Sequence, residues 1–178
     1  MALSPEKILS RVGEKYLYSF DTYVAPERIE EVRAALTKVA IGAPVRYKFE
    51  HTITDHLTTE KGVYFFMLEE LDVLSLPICV LLYVGKAMKS NTFKNRFYKY
   101  RDKIDNENDL VPQNVLMLTN LWPEHTYVYC YPMTDDKDIH RIEKVLINRL
   151  RPAFNEAYYV DRNVTTTDLA ELTKKHKT

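Results

Sequence analysis

The chain has 178 residues with 25 basic and 25 acidic side chains, and a formal net charge of zero excludes a protein coated uniformly in basic residues. A hydrophobic fraction of 46% suits one domain, or a small catalytic core with an extension, and no apolar run is long enough to span a bilayer. Cys79 and Cys130 lack the tight spacing of a zinc or disulfide framework and read as buried small hydrophobes; without a charged-then-apolar leader, a reducing cytoplasm is the expected setting.

The N-terminal third predicts helices and little function. Ser4-Pro5-Glu6 is a helix start, with serine at the cap and proline at the first helical position. Ala25-Pro26-Glu27 opens a clearer helix, along which Ile29, Val32, Leu36 and Val39 recur at helical spacing and which Gly42 can end. Residues 43–60 are polar and β-prone (Val45, Tyr47, Phe49, Thr52, Ile53), and their His51 and His56 read as surface or loop histidines rather than ligands. Residues 1–60 form an extension suited to DNA reading or oligomerisation, with nothing in them to discriminate.

From Lys61 two short β-rich runs follow: Lys61-Gly62-Val63-Tyr64-Phe65-Phe66 and, after fourteen intervening residues, Leu81-Leu82-Tyr83-Val84-Gly85. Both are β-branched and aromatic and predict antiparallel strands joined by a loop around Asp72 to Pro77. The chain has four glycines, and Gly62 and Gly85 stand at the outer ends of this pair. Glycine there signals unusual dihedrals or a close approach of another group.

Thr92 can cap a helix reaching about Ile104, with Phe93, Phe97, Tyr100 and Ile104 as its apolar stripe and Arg96 on the edge. Between Lys86 and Lys103 lie Lys86, Lys89, Lys94, Arg96, Lys99, Arg101 and Lys103 against one acid, Asp102. A neutral total therefore conceals a basic run of the kind that binds phosphates, with a solvated helix face as the competing reading. Residues 105–120 suggest a polar turn and then a short helix or irregular segment after Pro112. The alternating run His125–Tyr131 predicts a third strand with Tyr127, Tyr129 and Tyr131 on one face, packed under a helix rather than stacked on bases.

The next helix, about Asp135 to Leu150, buries Ile139, Ile142, Leu146 and Leu150, and Glu143 falls inside that stripe. A carboxylate on an apolar face is costly unless it is paired or holds a metal. Either an internal hydrogen-bond partner or a magnesium ion, which takes few protein carboxylates, satisfies it. Pro152 ends the helix, and Asn155 follows twelve residues after Glu143. Thr165 to Lys175 reads as a closing helix with a basic end.

Gly62-Val63-Tyr64, Tyr83-Val84-Gly85, Arg96-x-x-x-Tyr100, Glu143 and Arg151-Pro152-x-x-Asn155 together resemble the GIY-YIG nuclease family, in the family's order. Valine replaces isoleucine in both triplets, and tyrosine stands at 100 where histidine also occurs. The resemblance spans about Lys61 to Tyr159. It implies an α+β fold: a small, mainly antiparallel three-stranded sheet flanked by helices, with residues 1–60 as a helical N-terminal extension, 61–160 as catalytic core and 161–178 as a C-terminal helix or tail. The implied activity is divalent-metal-dependent hydrolysis of DNA phosphodiesters, with Mg²⁺ or Mn²⁺ held by Glu143 as its only protein ligand.

In that scheme Tyr64 is the general base, and Lys86 is a candidate for lowering its pKa. Tyr83 orients a metal-bound water or the phosphate. Arg96, assisted by Tyr100, neutralises charge growing on the phosphate, and Asn155 holds the site together. The basic run from Lys86 to Lys103 would bind DNA. A core of this size resembles a restriction-type enzyme or a small phage or mobile-element nuclease more than the larger repair and homing nucleases, so site-specific double-strand cleavage by a homodimer is the expectation. Structure-specific or single-strand cleavage, and a nucleic-acid-binding module without catalysis, are the alternatives.

Overall fold

A computed structural model describes residues 26–73, 76–104 and 113–155. In chain order these form α1 (Pro26–Leu36), β1 (Val45–Lys48), α2 (Ile53–His56), β2 (Gly62–Val73), β3 (Leu76–Ala87), α3 (Phe93–Arg101), α4 (Gln113–Asn120), β4 (Thr126–Pro132) and α5 (Asp136–Leu150). The expected helices at Ser4 and at Thr165–Lys175, and the turn at 105–112, lie outside the described residues. Among the described residues, no helix is long and apolar enough to cross a membrane.

The architecture is α+β, with one antiparallel sheet in the order β1-β4-β2-β3. The sheet has four strands where the sequence predicts three. The additional one, β1, pairs along β4 from Val45↔Cys130 to Lys48↔Tyr127, and Phe49 N–H continues the ladder to the Thr126 carbonyl at 2.9 Å. Four half-exposed residues on a sheet edge carry little alternation, which is why their pairing is decided by β4 rather than by their own pattern. The β2–β3 connection is tighter than expected, because pairing continues to Asp72↔Pro77 and Val73↔Leu76.

Each face of the sheet carries its own core. On one side Tyr64, Phe66, Leu68, Leu82, Val128 and Cys130 pack against Phe93, Phe97 and Tyr100 of α3 and Ile53 of α2. On the other, Val63, Val84 and Met133 pack against Ile139, Ile142, Leu146 and Ile147 of α5, with Val32 of α1 closing the layer. Tyr131 packs on Phe65 with ring centroids 5.1 Å apart, and Arg46 covers Tyr127 at 3.7 Å, so the tyrosine row is partly used as packing. Cys130 is buried as expected, but Cys79 is exposed, since it lies in the distal part of the hairpin.

A bulge in β3 shapes the site edge. The register passes from Phe66↔Tyr83 to Met67↔Leu81, leaving Leu82 as the extra residue. Leu82 and Tyr83 consequently both join the core on the α3 side, while Leu81 and Val84 pack on the α5 side. β3 is an edge strand, and the chain after α5 covers it. Phe154 N–H donates to the Leu82 carbonyl at 2.9 Å. The Asn155 side chain accepts from Val84 N–H and donates to Val84 C=O, both at 2.9 Å. One buried amide thereby satisfies both backbone groups of an edge residue, as a neighbouring strand would.

Candidate active site

Each element that delivers a site residue has a local reason to stop where it does. Thr92 caps α3, its hydroxyl accepting from Asn95 N–H at 3.4 Å, and the four-residue spacing puts Arg96 and Tyr100 on one flank of the helix. Asp135 caps α5 through bonds from Lys137 and Asp138 N–H at 2.8 and 2.9 Å. The helix ends at Arg151 in the left-handed region (φ 46°), followed by Pro152, and this turn delivers Asn155 to β3.

The two signature glycines have different reasons. Gly62 has φ +153°, and a Cβ there would stand 2.0 Å from the Tyr131 carbonyl oxygen. Gly85 lies directly across from Tyr64, and a Cβ would meet the Tyr64 ring and hydroxyl at 2.4 Å. The tyrosine of the first triplet thus lies across the glycine of the second, which links the two motifs sterically.

Tyr64 is wholly buried, among Phe66, Phe97, Tyr83 and Tyr100 with ring centroids 5.1–6.3 Å away. Arg96 donates its Nε–H to the Tyr64 hydroxyl at 2.9 Å, and the Tyr64 and Tyr100 hydroxyls bond at 3.1 Å. Arg96 also reaches the Tyr100 hydroxyl at 3.5 Å and lies 5.4 Å from that ring. Burial pushes the Tyr64 phenol well above its ordinary range, with Tyr100 and Tyr83 adding to the push and Arg96 opposing it. Tyr83 is driven upward by burial first, then by Tyr100, with Arg96 lowering and Glu143 raising it. The guanidinium in contact with the Tyr64 oxygen is therefore Arg96, not the Lys86 ammonium expected to lower its pKa.

Lys86 is engaged elsewhere. Its Nζ donates to Glu143 Oε2, and His140 Nδ1 lies 2.8 Å from the same ammonium. Glu143 is 6% exposed, within the apolar face of α5 as the periodicity requires, and His140 Nδ1 stands 3.9 Å from its Oε2. The buried carboxylate is thus met by a cation at the margin of the site. His140 escaped the sequence reading. Its signal was the spacing, three residues before Glu143 and so on the same side of the helix.

The remaining basic residues do not form one patch. At about 100° per residue, Arg96 and Lys99 fall on one flank of α3, and Lys94 and Arg101 fall on the other. Arg101 is used structurally, bonding Thr54 Oγ1 at 3.1 Å and Asp102 at 3.2 Å. Lys103 lies in the turn after α3, its carbonyl accepting from Asn120 Nδ2 at 3.0 Å. Lys89 is exposed and borders a cavity of about 630 Å³ beside Lys61 and Thr92. Lys86, Lys89, Lys94 and Lys99 keep ammonium groups near or on the surface, while Arg96 points inward to the phenols.

Among the described residues, no group of three or more His, Cys, Asp or Glu side chains is arranged to hold a metal ion. No family model matches the sequence, and no curated protein or solved structure is significantly similar to it.

Proposed function

We propose that the chain is a divalent-metal-dependent endonuclease of the GIY-YIG type, hydrolysing DNA phosphodiester bonds. The observation that carries this reading is the meeting of the motif residues along the β3 edge. Tyr64, Tyr83, Arg96 and Tyr100 form one cluster, Glu143 faces Lys86 beside it, and Asn155 clamps Val84 between them. These residues come from four elements and the turn after α5 and are up to 91 positions apart, which core packing alone does not demand of an arginine and a buried glutamate.

The donor set fits a divalent cation. Glu143 is a buried carboxylate that already has a positive group on Oε2, and a nitrogen acceptor stands close by. Bound there, the ion would polarise a phosphate oxygen and stabilise the leaving 3′-oxygen. Arg96 holds a guanidinium against the Tyr64 oxygen and neutralises charge on the phosphate, for which its planar donor fork is suited. Tyr64 takes the proton of the attacking water. Because burial keeps this phenol protonated at neutral pH, the rate rises as pH increases. Tyr83 orients water or phosphate between the two clusters, and Asn155 fixes the strand that carries Tyr83 and Lys86.

DNA is the substrate of this reading, with Lys89, Lys94 and Lys99 as phosphate contacts. Restriction-type cleavage of both strands calls for two copies of the chain or for two successive cuts, since one core offers one site. The test is cleavage of supercoiled plasmid with Mg²⁺, with EDTA, and with Glu143→Ala. Discrete Mg²⁺-dependent fragments that vanish in Glu143→Ala are expected. Nicked or smeared product would keep the chemistry but assign it to a structure-specific or nonspecific enzyme. Salt-sensitive binding without cleavage of any DNA would overturn the enzyme reading in favour of a binding module.

A further inference from the structure

We propose that the Lys86 ammonium stands where a divalent cation binds, so that Glu143 and His140 together ligate the ion and Lys86 swings aside to admit it. The inference rests on the endonuclease reading for the need of an ion, but it departs from the single-ligand site that the family resemblance implies.

Lys86 Nζ touches both Glu143 Oε2 and His140 Nδ1, the latter at 2.8 Å. An ammonium has three donors and no acceptor, so both partners must present lone pairs to it. His140 therefore accepts at Nδ1, as the tautomer carrying its proton on Nε2. The two lone pairs that converge on Lys86 are the ones a metal ion requires, and a nitrogen cation occupies their meeting point.

The geometry needs a small closure. Nδ1 and Oε2 are 3.9 Å apart, whereas neighbouring ligands of an octahedral ion with bonds of about 2.1 Å stand about 3 Å apart. The movement of roughly 1 Å falls to His140, whose side chain is 54% exposed, rather than to Glu143 at 8%. Lys86 can withdraw because its side chain is 26% exposed on a flexible four-carbon stem. The ammonium and a divalent cation cannot both fill the point between Oε2 and Nδ1, so the lysine acts as a built-in competitor. An imidazole in the ligand set also favours Mn²⁺ over Mg²⁺, which a lone carboxylate would not.

The experiment is Mn²⁺ binding to the full chain without DNA. Free Mn²⁺ is followed by electron paramagnetic resonance, and the bound ion by ¹⁴N electron spin echo modulation. Bound Mn²⁺ is expected to show nitrogen modulation that disappears in His140→Ala, with affinity falling about tenfold on loss of one ligand. Lys86→Met is expected to bind Mn²⁺ at least about tenfold more tightly than the parent chain, and Glu143→Gln to bind none. Circular dichroism melts establish that each variant is folded, and Lys86→Gln replaces Lys86→Met if the latter is not.

Mn²⁺ that requires Glu143 but shows no nitrogen modulation would overturn the proposal and leave the endonuclease reading standing. Unchanged affinity in both Lys86 variants would do the same. Cleavage that persists in EDTA would overturn both.

Discussion

Two polar clusters flank the edge strand β3, and they differ in how they are held. On the α3 side, Tyr64, Tyr100 and Arg96 are locked among aromatic rings, and Tyr64 has no exposed surface. On the α5 side, Lys86 and His140 reach Glu143 from partly exposed positions on long or solvent-facing side chains. In the first the phenols are enclosed by packing, whereas in the second the carboxylate is buried and its partners are partly exposed. On the proposed endonuclease reading, this division would separate the groups that meet the transition state from the place where a cation enters and leaves.

The sharpest way to break this comparison is Arg96→Ala. It should lower single-turnover cleavage by about 10²–10³-fold while leaving Mn²⁺ affinity unchanged. A parallel loss of Mn²⁺ affinity would show that the two clusters are one. Tyr64→Phe should lower the rate by about 10²-fold and also change its pH dependence. In the parent chain, cleavage measured at saturating metal should rise about tenfold per pH unit through the neutral range, because the phenol remains protonated there. In Tyr64→Phe that slope should flatten.

The same shift bears on stability. The folded-state pKa of Tyr64 lies above the unfolded value of about 10, so its contribution is complete below that pH and is lost as pH rises above it. Thermal melts at increasing alkaline pH should fall more steeply for the parent chain than for Tyr64→Phe.

Smaller changes sharpen the contrast. Gly85→Ala forces a methyl to within 2.4 Å of the Tyr64 ring and should cost about 1–3 kcal/mol in chemical denaturation. It should disturb cleavage more than Mn²⁺ binding, because Gly85 faces the phenols. Asn155→Asp keeps the acceptor for Val84 N–H but removes the donor to Val84 C=O, and should cost about 1–2 kcal/mol. Since Val84 lies between the clusters, this variant should weaken both functions together.

Much of the candidate site was legible in the sequence because it rests on local pattern. The α5 stripe puts Glu143 on the buried side by helical spacing alone, and Thr92 caps α3 by residue type. β-branched and aromatic composition placed Tyr64 in a strand, and Pro152 marked the turn that delivers Asn155. Less legible was β1, whose four residues Val45–Lys48 have no clear alternation and become a strand only by pairing with β4. Cys79 sat in an apolar run yet is exposed, because burial depends on what covers a hairpin rather than on its composition.

The chain by itself determined the order of its elements from β2 to α5, the glycine positions, the buried glutamate and the stop of α5 at Pro152. These depend on contacts within a few residues, where periodicity and capping act. The tertiary structure decided which cation meets which group. Arg96 takes the Tyr64 oxygen, while Lys86, one residue beyond the second signature triplet, crosses to Glu143 and His140 on a helix more than 50 residues away. Both are cations near the same strand, and their partners are set by sheet register. Lys86 opposes Val63 on the α5 face, and the tyrosine opposite Gly85 points the other way.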